Sequence, residues 1–371
     1  MDLGRDQQAT RAAMRAFLRA KLDDPDVEVG QISAPAGAGF VNETLFFEAT
    51  SSRAGRLPLV LRIQPSAYSV AFEGAEFFAS QCELMRILAS ETEVAVPAVR
   101  WYESDAALLG APFVVTDRAG GVGQPDFPPY NSVGWLFDAS PQDQARAWWA
   151  TVETIAQINT VDWRGLGLDF LLDPARGEAG LDQRFGFFDA AYAWASGSKP
   201  NPTIEAARQW LHDHRPVDEP VVLSWGDARI GNLLFEDFKV SGVVDWEFAS
   251  LGPPLQDLGW WWFVDRAMFG DLHTGDPDDP LELPGFASRA ETLDRWSRLT
   301  GFDTGNLDYY EAFAGYRLAM NSHRMGMLFI EMGVLPEDSR WPVFNSITQA
   351  LAGLIGIEHP EPEQLPQLIG G

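Results

Sequence analysis

The sequence predicts an α+β fold in two parts, a small sheet carrying one helix and then a larger, mostly helical region. Three observations carry that expectation. The first third of the chain alternates short apolar runs with turn residues. The stretches GGVGQPDFPPY and NSVGWLF, rich in glycine and proline, then interrupt all periodicity. Beyond them, apolar residues recur at helical spacing. At 371 residues the chain is long enough for about two domains, each with its own core. The division is set at 1–118 and 119–371.

The leading stretch MDLGRDQQATRAAMRAFLRAKLDD puts Met14, Phe17, Leu18 and Leu22 on one helical face and Arg11, Arg15 and Arg19 on another. Asp2 and Asp6 argue against an acid-poor targeting peptide, and no apolar signal core follows. QISAPAGAGFVNETLFFEAT then gives strand, glycine-containing turn and strand, and LPLVLRIQP a third strand stopped by Pro65. Residues 70–89 return to helix, and AVPAVRWYES and PFVVTDR are extended. In the second part, 141–159 and 203–213 are helical by period, a strand–loop–hairpin block fills 221–246, and 286–332 and 341–357 are helical. The acidic, proline-punctuated GDLHTGDPDDPLELPG is a solvated loop or a substrate lid.

Composition excludes several classes of function. Lys and Arg number 27 against 53 Asp and Glu, a formal charge of -26, which repels phosphate backbones and anionic headgroups. Neither nucleic acid nor a membrane is an expected partner. The acidity is that of a soluble surface or of a funnel for a cationic substrate. Cys82 is the sole cysteine, so there is neither an intrachain disulfide nor a clustered-cysteine zinc site, and a reducing, cytoplasmic setting is expected. No apolar run approaches the ~20 residues that span a bilayer. Oligomeric state has no signature.

The chemistry concentrates in VVLSWGDARIGNLLFEDFKVSGVVDWEFASLGPPLQDLGW. Val221, Val222 and Leu223 form a buried strand that delivers Gly226 and Asp227 onto a loop; Asn232 follows five residues after Asp227. Leu233, Leu234 and Phe235 form a strand, and a turn at Glu236 to Lys239 leads to a partner strand ending at Val243, Val244 and Asp245. Asp227, Asn232 and Asp245 can therefore converge. Two carboxylates and an amide oxygen are hard ligands that suit Mg²⁺, which takes the rest of its octahedron from phosphate and water. The Asp-to-Asn interval is that of the protein-kinase catalytic loop, and phosphoryl transfer needs such a set: held cations, a positioned hydroxyl and a carboxylate to take its proton.

This segment closely resembles the catalytic core of the aminoglycoside phosphotransferase and choline kinase superfamily, and most resembles the branch found attached to or beside acyl-CoA dehydrogenases. GFVNETLFF, LVLRIQP, LMRILAS, VPAVRWYE, GAPFVVTDRAGG and ASRAETLDRWSRLTG extend the likeness in order over most of the chain. The resemblance implies a bilobal protein-kinase-like fold with an antiparallel-sheet N-lobe and a helical C-lobe. It also implies Asp227 as catalytic base, Asn232 and Asp245 as metal ligands, and Asp257 as the buried brace of the catalytic loop.

By the same resemblance, Gly37, Gly39 and Asn42 form a flexible turn over the nucleotide phosphates. Arg62 takes the place of the kinase lysine, with bidentate phosphate binding within its reach. Gln81 falls where a helix glutamate orients that cation, with Glu76 and Glu83 nearby. Asp117, Arg118 and Ala119 form the hinge, whose backbone meets adenine. Arg229 lies near the transferring phosphoryl group or in a loop salt bridge, and Glu247 is either a partner of metal-bound water or solvent-facing. Two positions depart from the family: Trp225 stands where a histidine braces the loop, and Ile158-Asn159 where a helix ends Leu-His. Trp260, Trp261, Trp262 and Phe263 are core or a ligand cage, and His323 and Arg324 are substrate contacts or structural.

The resulting expectation is a phosphotransferase that uses ATP, or GTP, with Mg²⁺ to phosphorylate a hydroxyl of a small metabolite. The alternative is a degenerate, nucleotide-binding regulatory relative. An aminoglycoside-like or choline-like acceptor suits the acidity, the latter also the tryptophans; a hydroxyacyl-CoA is what the nearest branch implies.

Overall fold

The computed structural model describes residues 5–34, 43–64, 75–125, 128–197, 199–269 and 283–364, with the side chains of Ala75, Glu76, Met268 and Phe269 left aside. The turn at Gly37, Gly39 and Asn42, the strand stop at Pro65, and residues 270–282 of the acidic loop lie outside these ranges. The chain divides into two compact units, 1–121 with 241–244, and 122–240 with 245–371.

Unit 1 opens with α1 (Gln7–Leu22), capped by Asp6, whose carboxylate accepts from the N–H groups of Gln8 and Ala9. A five-stranded antiparallel sheet follows, in the order β1 (Glu28–Val29), β2 (Glu43–Ser51), β3 (Gly55–Ile63), β5 (Phe113–Asp117), β4 (Val99–Glu103). Strand alternation turns Leu45, Phe47 and Ala49 of β2 and Leu59, Leu61 and Ile63 of β3 to one face, where they bury Met14, Phe17 and Leu18 of α1. The opposite face receives α2 (Ala75–Glu91), whose Phe78 and Cys82 pack on Val114. Arg62 pairs with Val114 across the strands and so shares the α2 face. Its charge pulls the Cys82 thiol down, but burial dominates and pushes that thiol up to about 12.

Unit 2 contains β6 (Val122–Gly123), α3 (Pro141–Asn159), α4 (Leu181–Ser196), α5 (Pro202–Asp213), β7 (Val222–Ser224), β8 (Leu233–Glu236), β10 (Ser250–Gly252), α6 (Gln256–Phe269), α7 (Arg289–Thr300), α8 (Leu307–Glu331) and α9 (Ser346–Ile355); β9 (Lys239–Val243) begins in unit 2 and its residues 241–243 belong to unit 1. β7 pairs antiparallel with β10, and β6, β8 and β9 form a separate three-stranded sheet. α6 and α8 approach closely because residue 259 is glycine: a Cβ there would lie 2.6 Å from the Tyr310 carbonyl carbon. The helix expected over 286–332 is two helices, because Gly301 takes a left-handed conformation (φ 77°) and ends α7. α4 was not foreseen. Its aromatics surround the helix, with Phe185, Phe187, Phe188 and Tyr192 all buried, so the sequence shows no single apolar face.

One buried polar knot fixes the start of unit 1. Asp24 accepts hydrogen bonds from the Ser51 hydroxyl at 2.6 Å, the Ser52 N–H at 2.8 Å and the Asp26 N–H at 3.0 Å. The Ser51 bond above all holds its carboxyl far below the usual range. A carboxyl lowered in the folded state stabilises fully above its unfolded value, about 3.9, and loses that contribution as pH falls through and below it. Asp24→Asn is therefore expected to lower the melting temperature at pH 7, with the gap from the unmodified protein narrowing below about pH 4; scanning calorimetry across that range measures it.

Candidate active site

The site is built from one buried strand and the helix that receives it. β7 is buried throughout and ends at Ser224; the loop Trp225–Asn232 follows. Gly226 sits at φ 88°, and a Cβ there would lie 2.0 Å from the Phe248 carbonyl oxygen, so no other residue fits. Beneath the loop, Asp257 in the first turn of α6 is fully buried and accepts from Ser224 Oγ (2.7 Å), the Trp225 N–H (2.9 Å), the Gly226 N–H (2.8 Å) and Asn159 Nδ2 (2.9 Å). The positive end of α6 favours the negative charge at that turn.

Asn159 ends α3. Its Nδ2 also donates to the Leu223 carbonyl (3.1 Å), and its Oδ1 accepts from Trp296 Nε1 (3.2 Å), so both ends of the amide are matched. Trp225 engages Asp257 through its backbone, while its fully buried indole lies 6.1 Å from that of Trp246. At 225 the bond to Asp257 is made by the main-chain N–H and not by the side chain.

Asp227 and Asn232 come together. Asn232 Nδ2 donates to Asp227 Oδ2 (2.6 Å) and to the Asp227 carbonyl (3.0 Å), and Arg229 Nε lies 3.3 Å from Oδ2. Arg229 is thus ion-paired with Asp227 within the loop. Asp227 Oδ1 accepts from Trp260 Nε1 at 2.6 Å, a role between core and ligand cage that the sequence did not suggest. The fully buried Arg317 of α8 was also missed. Its Nη2 donates to the Gly226 carbonyl at 2.7 Å, and burial lowers its pKa to about 10 against the opposing pull of Asp227 and Asp257. A single charge within the apolar helical run AFAGYRLAM was the available signal.

Other positions need correction. Asp245 does not close the strand: β9 stops at Val243, and Asp245 lies beyond it at φ 62°, a left-handed conformation that aspartate tolerates better than most. The β8–β9 turn is the two-residue Asp237-Phe238 with both φ positive, which matches strand twist. Glu247 is buried rather than solvent-facing. His323 is buried and bonded through Nδ1 to the Pro342 carbonyl, with burial lowering its pKa, and Arg324 lies over Trp194. In unit 1, the Asp117 carboxylate pairs with Arg100, and the N–H groups of Asp117 and Arg118 donate to the carbonyls of Ala98 and Pro58, so neither N–H is free for an adenine. Gln81 is buried, and Glu83 is forked to Arg86.

A profile of the phosphotransferase enzyme family matches residues 33–302, and the chain belongs to that family. It is a kinase-type member with a small antiparallel sheet and several helices. Among curated proteins it is similar to the probable acyl-CoA dehydrogenase IBR3 of Arabidopsis thaliana, 25% identical over 88% of this chain and 38% of that one. It is also similar to acyl-CoA dehydrogenase family member 11 of Gallus gallus, 26% identical over 60% of this chain and 28% of that one. The chain thus spans well under half the length of these relatives. Among solved structures it resembles a putative aminoglycoside phosphotransferase of Ralstonia eutropha, with TM-score 0.65 and 21% identity over 93% of this chain and 98% of that one. It also resembles a thermostable mutant of aminoglycoside phosphotransferase APH(4)-Ia in complex with ADP and hygromycin B, with TM-score 0.52 and 15% identity over the same shares of the two chains.

Asp257→Asn replaces one acceptor oxygen with a donor that faces N–H groups. It is expected to cost roughly 2–4 kcal/mol of unfolding free energy, measured by urea titration.

Proposed function

We propose that the protein transfers the γ-phosphoryl group of ATP to a hydroxyl of a small molecule, with Asp227 as the base. The observation that carries this reading is the Asp227 carboxylate, fixed by donors from Trp260, Asn232 and Arg229 on a loop whose backbone is itself braced. Such a group holds one orientation toward an acceptor, which is what proximity catalysis requires. In the proposed reaction the acceptor O–H bond breaks as its oxygen joins the γ-phosphorus, the proton passes to Asp227, and the nucleoside diphosphate leaves with the bridging oxygen. Arg229, beside the base, would face the charge that develops on the phosphoryl oxygens.

Magnesium fits the donor set. Asn232 directs its Nδ2 at two acceptors on Asp227, which turns its Oδ1 away as the atom a hard cation takes, and Asp245 would add a carboxylate oxygen. Ligation would be by one amide and one carboxylate, completed by phosphate and water. Bound Mg²⁺ supplies neutralising charge to the triphosphate.

In unit 1, Arg62 is the proposed phosphate cation, Gly37, Gly39 and Asn42 the phosphate turn, and Ala119 the hinge residue left to meet adenine. GTP is the alternative nucleotide. The complexed neighbour, an aminoglycoside phosphotransferase, holds hygromycin B; for this chain the acidic charge of -26 favours a cationic alcohol over a coenzyme A ester as acceptor.

A screen of hydroxylated metabolites, read as ADP or GDP release, identifies the acceptor. Asp227→Ala is then expected to cut turnover by about two to four orders of magnitude; turnover equal to that of the unmodified protein would remove the assignment. Asp245→Asn is expected to abolish the Mg²⁺-dependent part of ATP binding, read by calorimetry with and without the metal.

A further inference from the structure

Asp257 and Trp260 are three residues apart on α6 and so share one face. The first holds the backbone of the loop at Trp225 and Gly226, the second holds the side chain of Asp227. The indole is itself fixed. The Arg317 guanidinium lies 4.1 Å over the Trp260 ring and 5.0 Å from the Phe188 ring, and its Nη2 reaches the Gly226 carbonyl at 2.7 Å. Gly226 is the residue before Asp227, so the contacts close on themselves: Asp227 to Trp260, Trp260 to Arg317, Arg317 to Gly226. Gly259, beside Trp260, brings α8 close enough for Arg317 to reach.

The two oxygens of Asp227 are not equivalent. A carboxylate oxygen accepts about two hydrogen bonds. Oδ2 has two donors, Asn232 Nδ2 and Arg229 Nε, whereas Oδ1 has one among the described residues, Trp260 Nε1. The open acceptor direction is therefore on Oδ1, beside the indole N–H.

We propose that Trp260, held flat by Arg317, is a positioning residue that fixes the rotamer of Asp227 and selects Oδ1 as the oxygen that meets the acceptor hydroxyl. This rests on the reading of Asp227 as the base. Rotation of Asp227 about its side-chain bonds breaks the Trp260 bond on one side and the Asn232 bond on the other, so the carboxylate has one seat. Loss of the indole N–H frees Oδ1 without touching the nucleotide contacts, so chemistry suffers and nucleotide binding does not.

The test uses the full chain labelled with ¹⁵N at its indoles. The Trp260 Nε1–H resonance is identified by its disappearance in Trp260→Phe, and in Asp227→Ala it is expected to move upfield as it loses a carboxylate acceptor. Trp260→Phe keeps an aromatic face for Arg317, and is expected to lower kcat about 10- to 100-fold with KM for MgATP unchanged; Arg317→Met is expected to do the same. The rate is read with the acceptor alcohol, or with water as acceptor through ADP release. An indole resonance indifferent to Asp227→Ala, or a Trp260→Phe enzyme with full kcat, overturns the inference and leaves the Asp227 assignment standing. If Asp227→Ala turns over like the unmodified protein, the proposed function falls instead. Should Trp260→Phe fail to fold, Trp260→Tyr provides the assignment and the Asp227→Ala shift decides.

Discussion

A single carboxylate sealed from water organises unit 2. Asp257 draws donors from the end of α3 and from the consecutive residues Ser224, Trp225 and Gly226, so α3, the end of β7 with its loop, and α6 must meet at one point. A buried charge with fewer partners is costly. Here the solvation it loses is replaced by four hydrogen bonds, the positive end of α6 and the field of Arg317. The loop geometry follows: with its amides turned down to Asp257, Gly226 takes a positive φ in a space that the Phe248 carbonyl closes to any Cβ, and Asp227 emerges from it directed toward Trp260 and Asn232.

Around that point the unit holds an unusual amount of buried charge without a simple pairing. Arg317 answers to Asp227 and Asp257 through its field and to Gly226 through a hydrogen bond, while its faces rest on Trp260 and Phe188. Guanidinium suits this because it is weakly hydrated and stacks on aromatics; an ammonium would need an acceptor on every side. Phe188 of α4 and Trp260 of α6 supply those surfaces.

Much of the fold was legible because local signals agreed. α3 spans Pro141–Asn159 as expected, since Ser140 caps it and Pro141 stands at its first position. The β8–β9 hairpin was visible in its alternation. α4 was not, because burial on all sides erases amphipathic contrast, and neither was the break at Gly301, where a glycine within a long periodic stretch fits a helix end or a tolerated interior position. In the site, the Asp227–Asn232 pairing was legible as a short-range interval. The contacts of Asn159 with Asp257 and Trp296 are long-range, and nothing local announces them. Trp260 sits in a run of three tryptophans that helical geometry spreads about 100° apart, and composition alone does not say which one faces the loop.

The lone thiol of unit 1 has a practical side. Cys82 is buried against Val114 with its ionisation pushed up to about 12, so at neutral pH it holds almost no thiolate and meets few reagents. The chain therefore behaves as if it had no reactive sulfur. A cysteine introduced on either unit would be the one that maleimide dyes or spin probes find, without first stripping the native residue.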